Sequence, residues 1–299
     1  VPIVKKHMND LMGDETARYA YCGKVFRRQE RNSDRASEYL QVGYEIFDRA
    51  DVVKSDTDAF CIIKKALGDL PLRIVTGDIG ILMAAVSGLK TTDRRKKALL
   101  RHIWRPKRFI TTLENFTNDL SLSTERFDGF DEETSFGKHA KEIGLRSKSE
   151  ITKRIENLLL DGKAAPISTK ERGVINSLLN IGDKCPQALI QLKALLPDMP
   201  ALKIAIEKFE RRLAALDKAN VDLSVIDFEI SYGRTSMEYY DGFVFGFYSE
   251  NNINLPPIAT GGRYDALTKH IGKGREIPAV GGVVRPDLIL QSKGFEDND

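Results

Sequence analysis

The chain has 299 residues, 41% of them hydrophobic, enough to bury one large core or two moderate ones. Its 46 Lys and Arg against 43 Asp and Glu leave a formal charge of +3, too near balance for bulk charge to point to nucleic acid. No run of about 18 apolar residues and no charged-then-apolar leader occurs, so neither a membrane span nor secretion is predicted, and a cytoplasmic location is the expectation.

Val1 is not a start methionine, so further elements upstream are expected. Cys22, Cys61 and Cys185 are odd in number and far apart, which predicts reduced thiols rather than a disulfide framework or structural zinc. His7, His102, His139 and His270 lack metal-ligand spacing, and neither metal nor cofactor is expected.

In chain order, residues 19–27 and 39–47 are aromatic and β-branched runs separated by the polar stretch 28–37, which predicts a long antiparallel hairpin. Residues 51–67 have helical apolar spacing, 72–76 read as a short strand, and Asp78 is placed to cap a helix through Val86. From 90 to 218 strand patterns disappear, and apolar residues recur at helical intervals through 151–160, 174–181, 188–196 and 201–216. Pro166, Pro186, Pro197 and Pro200 punctuate that region near helix ends. Strand character returns at 221–230 and 239–248, followed by a glycine turn at Gly261 and Gly262 and a short helix from about Tyr264. A last strand at 277–284 and a helix from Pro286 complete the chain. This predicts an α+β unit of residues 1–89 and 219–299, interrupted by a mostly helical insertion at 90–218.

Within the insertion, Arg94, Arg95, Lys96, Lys97, Arg101, Arg105, Lys107 and Arg108 surround Trp104. Such a run could track a phosphate backbone. A solvated helix face or a partner-protein contact is preferred, because no second basic tract or aromatic series reinforces it. The acidic segment 128–133 reads as a loop.

Side chains alternate across a strand, so Tyr39, Gln41, Gly43, Glu45 and Phe47 share one face, and Leu40, Val42, Tyr44 and Ile46 share the other, predicted to face the core. At about 3.3 Å per residue, Gln41 and Glu45 stand about 13 Å apart, with Gly43 leaving space between them for a small zwitterion. A carboxylate neutralises an ammonium, and an amide supplies a donor and an acceptor. On this strand alone an ordinary polar sheet face explains the pattern as well.

Four segments taken together alter that balance. Phe26-Arg27, Gln41-Val42-Gly43-Tyr44-Glu45, Glu238-Tyr239-Tyr240 and Gly261-Gly262-Arg263-Tyr264-Asp265 resemble, in order and spacing, the histidine-binding half of histidyl-tRNA synthetases. The resemblance covers residues 19–290. It implies a class II aminoacyl-tRNA-synthetase-like fold: an antiparallel sheet of six or more strands flanked by helices, dimeric through a segment upstream of Val1. It also implies that Gln41 and Glu45 hold the amino group of a bound histidine, that Arg27 lies near its carboxylate, and that Tyr240 and Tyr264 wall its imidazole.

The departures from that family bear on chemistry. Its Arg-Gly-Leu-Asp-Tyr-Tyr segment supplies an activating arginine, but Thr235 stands at that position here, and Arg234, one residue off, is expected to point to the opposite face. Arg285 replaces a glycine, and Leu288 an arginine, of the last ATP-clamping motif. Phe-Arg-x-Glu becomes Phe26-Arg27-Arg28-Gln29, with Glu30 displaced by one. Losing one group that stabilises transferring phosphates costs about a hundredfold in rate, so adenylate formation is not expected. The chain also ends shortly after Leu288, with no anticodon-binding domain expected.

A synthetase-like chain with this pocket and without these groups is similar to the ATP phosphoribosyltransferase regulatory subunits. The segments 26–41 and 77–108 look more like that family than like a synthetase. The similarity implies no activity alone, a hetero-octamer with the short-form catalytic subunit, a self-dimer, and feedback regulation of the first step of histidine biosynthesis by histidine. Whether the effector occupies this pocket or a subunit interface is left open by the sequence. The alternatives are a divergent histidyl-tRNA synthetase catalytic fragment and an RNA-binding paralogue using residues 94–108.

Overall fold

The computed structural model describes residues 2–10, 16–27, 37–118, 146–234 and 239–295. The predicted hairpin is β1 (Ala17–Phe26) and β2 (Glu38–Phe47), paired antiparallel from Ala17–Phe47 to Phe26–Glu38. Helix α1 (Pro2–Asp10) precedes it. Asp51 caps α2 (Val52–Leu67) through the Lys54 amide, and Asp78, at the end of β3 (Leu72–Asp78), caps α3 (Ile79–Gly88) through the Gly80 amide, as the sequence predicts.

The helical segment contributes α4 (Asp93–Arg101), α5 (Pro106–Thr117), α6 (Lys148–Lys163), α7 (Thr169–Leu179), α8 (Cys185–Ala194) and α9 (Lys203–Lys218). It also carries β4 (Gly182–Lys184), a strand of only three residues that no periodicity could reveal. Then follow β5 (Ile226–Glu229), β6 (Phe243–Ser249), β7 (Ala259–Arg263), α10 (Asp265–Ile271), β8 (Ala279–Val284) and α11 (Pro286–Ser292).

The strands form one sheet in the order β1-β2-β8-β7-β6-β3-β5-β4, antiparallel except where β3 and β5 run parallel. Phe243, Phe245 and Phe247 of β6 point to one side and meet Phe60 of α2, with ring centroids 5.3–6.3 Å apart. This side holds the main core, completed by α3 and by helices of the 93–218 segment. The other side holds a smaller cluster of Val4, Met8, Phe47, Tyr240, Val244 and Tyr264, with α1 against it.

Several elements differ from the sequence expectations. The strand predicted at 221–230 is confined to Ile226–Glu229, because Asp222 caps a short 3-10 turn through the Ser224 amide. The strand predicted at 239–248 begins at Phe243, and Tyr239 and Tyr240 precede it. The predicted glycine turn at Gly261 and Gly262 is instead the middle of β7. Here the glycines serve close approach: a Cβ on Gly261 would stand 2.2 Å from the Phe245 ring and 2.5 Å from the Gly281 carbonyl oxygen.

The predicted core face of β2 is buried only at one end. Ile46 is fully buried, but Leu40 and Val42 are 41% and 39% exposed, since β8 pairs with β2 only from Val42 to Phe47 and the hairpin projects beyond it. The basic run is not one solvated face either: Arg95 is fully buried and donates to the carbonyls of Asp161 and Ala165, each at 2.9 Å. The acidic segment 128–133 lies outside the described residues, as do positions 28–36 and 235–238. No helix among the described residues is long and apolar enough to cross a membrane.

Candidate functional site

Gln41 and Glu45 lie on the smaller-cluster side of β2, and register brings its two neighbouring strands to them. Gly281 of β8 stands opposite Glu45, and Tyr21 of β1 stands opposite Gly43. A Cβ on Gly281 would fall 1.7 Å from Glu45 Oε2, so this glycine makes the space in which the carboxylate sits. The space expected at Gly43 is not empty. The Tyr21 ring fills it, with Cζ 2.1 Å from where a Gly43 Cβ would be.

Tyr21 thereby joins the two predicted polar residues. Its hydroxyl accepts from Gln41 Nε2 at 3.2 Å and donates to Glu45 Oε1 at 3.4 Å. The Tyr264 hydroxyl donates to the other carboxylate oxygen, Oε2, at 2.6 Å. Tyr264 follows β7 directly, and its amide donates to the Ala279 carbonyl, which holds it beside β8.

Tyr240 is 4% exposed, 6.4 Å from Tyr264 and 4.2 Å from Tyr239 between ring centroids, so the three rings stand together beside Glu45. Arg27 stands apart: it is exposed at the end of β1, its amide donates to the Ser37 carbonyl, and its charge reaches the Tyr239 hydroxyl. The structure thus brings Gln41, Glu45, Tyr240 and Tyr264 together and leaves Arg27 at the margin.

Desolvation dominates the electrostatics. Glu45 is raised above the ordinary carboxylate range by burial, against the hydrogen bonds from Tyr264 and Tyr21. Burial and the nearby Glu45 charge push the Tyr21 hydroxyl up to about 12, and burial raises Tyr240 and Tyr264 as well. Among the described residues, the groups that hydrogen-bond to Glu45 are tyrosine hydroxyls. The arrangement is an acceptor in an aromatic enclosure, suited to a cationic N–H group.

Two contributors were missed by sequence reasoning. Tyr21 could have been found by counting the hairpin register back from Gly43. His7 of α1 stacks on Phe47 at 4.0 Å and meets Tyr19 OH at 3.2 Å; nothing in its own neighbourhood in sequence places it there.

The strand that carries Tyr264 is tied to the helical segment by charge. Arg263 and Arg212 of α9, both 1% exposed, share Asp56 of α2: Arg263 Nε reaches Oδ1 at 2.8 Å and Arg212 Nε reaches Oδ2 at 2.9 Å. Arg212 also pairs with Asp78 at 2.9 Å and lies 4.4 Å over the Phe243 ring.

Positions expected to matter for ATP are occupied otherwise. Arg234 lies in a turn rather than a strand, is buried, donates from Nε to the Ile103 carbonyl at 2.7 Å and lies over Phe109, facing the helical segment. Leu288 is 3% exposed in the core. Arg285 stacks 4.0 Å over Tyr39 and pairs with Asp287 at 2.7 Å. Thr235, Arg28, Gln29, Glu30 and Glu238 lie outside the described residues.

The sequence profile of the family described as Histidyl-tRNA synthetase matches residues 2–158 and 151–289. The chain belongs to the histidyl-tRNA synthetase family. Within the relatives of this family member, a Brucella ovis protein named ATP phosphoribosyltransferase regulatory subunit is 29% identical over 319 residues, covering 98% of this chain and 82% of the relative. An Agrobacterium fabrum protein of the same name is 28% identical over 324 residues, covering 99% and 82%.

Solved structures give the fold. An ATP phosphoribosyltransferase regulatory subunit/histidyl-tRNA synthetase from Bacillus halodurans superposes with a TM-score of 0.64 at 19% identity, over 97% of this chain and 62% of that one. Histidyl-tRNA synthetase from Nostoc gives 0.58 at 15% identity, over 99% and 58%. This chain therefore spans about three fifths of those structures and carries their class II synthetase-like α+β fold.

Proposed function

We propose that this chain is a non-catalytic regulatory subunit of ATP phosphoribosyltransferase, which binds histidine in the Glu45 pocket and acts with a short-form catalytic subunit at the first step of histidine biosynthesis. The observation that carries the reading is Glu45 itself: a desolvated carboxylate met by Tyr264 and Tyr21 hydroxyls. Removing a carboxylate from water is costly unless a cation joins it. Histidine supplies an ammonium and, when protonated, an imidazolium. Gln41 adds an amide at the rim, Tyr240 and Tyr264 give the ring a flat apolar wall, and Arg27 is the nearest candidate for the ligand carboxylate.

The same geometry argues against adenylation. The guanidinium of Arg234 is committed to the Ile103 carbonyl, Leu288 is an apolar core residue, and Arg285 is stacked on Tyr39. Recognition is kept while groups that would stabilise transferring phosphates are absent from those positions. The names of the Brucella and Agrobacterium relatives support the regulatory reading and the choice of partner.

On this reading the protein is cytoplasmic, residues 90–218 are a helical insertion in the synthetase-like domain, and the assembly is a hetero-octamer containing a self-dimer. Histidine regulates it by binding one conformation of the assembly more tightly than the other. The test is co-purification with a short-form catalytic subunit, followed by phosphoribosyl transfer assays. The expected result is a stable complex, activity that needs both chains, and inhibition by histidine that Glu45→Gln relieves. A catalytic subunit that neither binds this chain nor gains activity from it would overturn the proposal. The family membership keeps a second reading in view, a divergent synthetase fragment, which instead predicts histidine-dependent exchange of pyrophosphate into ATP.

A further inference from the structure

The basic run at 94–108 is divided by the fold into two sets with different tasks. The inner set holds the helical segment together. Arg95 is fully buried on Asp161 and on the carbonyls of Asp161 and Ala165, Arg94 pairs with Asp161, and Lys96 Nζ donates to the Ser87 carbonyl at 2.9 Å.

The outer set is Lys97 and Arg101 on α4, Arg105 at the turn, and Lys107 and Arg108 on α5. All five are exposed, and none forms an ion pair with a described carboxylate. Lys97 and Arg101 stand four apart on α4, a spacing at which like charges repel on a helix, and Arg105 follows at the turn.

We infer that the outward face of the α4–α5 hairpin is a docking surface for a carboxylate-rich face of a partner protein. Exposed arginines form forked, paired hydrogen bonds with carboxylates, and a cluster of one sign steers an oppositely charged surface into register. A single-stranded nucleic acid would also need flat rings to stack on. The two rings within the run, His102 and Trp104, are both half-buried, Trp104 packed on the core, so this face offers charge without an exposed stacking platform.

The hairpin is also fastened to the ligand pocket. Ile103 sits in the turn between the helices, and its carbonyl holds Arg234 at 2.7 Å, shortly before Tyr239 and Tyr240 in the chain. A partner pressing on α4–α5 therefore pushes against the anchor of the tyrosine segment.

The inference takes its choice of partner from the regulatory reading, and the experiment separates the two. Affinity of the full chain for the short-form catalytic subunit is measured at several salt concentrations, for wild type and for the pair Arg101→Glu and Arg105→Glu. The expected result is steep weakening with salt in wild type, at least tenfold weaker binding for the double variant, and unchanged histidine affinity for the double variant alone. Equal affinities and equal salt slopes would overturn the docking surface while leaving the regulatory reading intact.

If wild type does not bind the catalytic subunit at all, the regulatory reading fails, and the surface is tested with poly-glutamate. Binding by wild type and not by the double variant then supports the surface, and failure of wild type to bind overturns it. Tighter binding of tRNA than of either acidic protein probe, abolished by the same substitutions, overturns it in favour of a nucleic-acid face.

Discussion

At the scale of single residues, the pocket is governed by one carboxylate and its tyrosines. Glu45 and Gln41 were legible because strand alternation places them on one face with a glycine between them. Tyr21 was not, because its position depends on which residue of the neighbouring strand stands opposite Gly43, and a one-residue slip would move it to the other face. The consequence is chemical: the gap expected between Gln41 and Glu45 is closed by a hydroxyl that touches both.

The raised Glu45 value fixes a sign. In the unfolded chain the group titrates in the ordinary carboxylate range, so the raised value contributes stability that is fully present below that range and is lost as pH rises through the raised value. A bound cation favours the ionised form and lowers the value again. Histidine binding should therefore release protons in that window, and affinity should rise with pH through it. Calorimetry in buffers of different ionisation enthalpy reads this directly as a difference between wild type and Glu45→Gln, which cancels the ligand's own titration. No difference in proton release would contradict the assignment.

At the scale of elements, regular apolar periodicity and caps were legible, as α2 behind Asp51 and α3 behind Asp78 show. Strands made of glycine or of a few residues were not. Gly261 and Gly262 look like a turn in sequence, yet in β7 they are the residues that allow Phe245 and the Gly281 backbone to approach. Likewise Arg95 reads as surface charge until Asp161, far along the chain, is found against it. Buried charge also decides how elements are joined: α2, α9, β3 and β7 meet at Asp56, Asp78, Arg212 and Arg263. Removing one member of such a pair leaves a buried charge uncompensated, at a cost of about 3–5 kcal/mol. Arg212→Met should lower the urea midpoint accordingly, with Arg211→Met, exposed on the same helix, as control. Equal midpoints for the two variants would show that the network does not secure α9 to the sheet.

At the scale of the whole molecule, family membership was legible because four short segments keep their order across a long helical interruption. The sheet order was not, since β3 and β5 pair in parallel across 154 positions of chain, between Arg73 and Asp227 for the accompanying ion pair. The proposed function rests on a separation between the two halves of an ancestral task, with recognition assigned to Glu45 and phosphate chemistry lost through the replacements at Thr235, Arg285 and Leu288. The measurement that tests this most directly places histidine binding and ATP–pyrophosphate exchange side by side on the same purified chain. The account predicts saturable binding that Glu45→Gln weakens by about 10- to 100-fold, the worth of a charged hydrogen bond, with no histidine-dependent exchange at any ATP concentration. Exchange above background, or binding indifferent to Glu45, would contradict it.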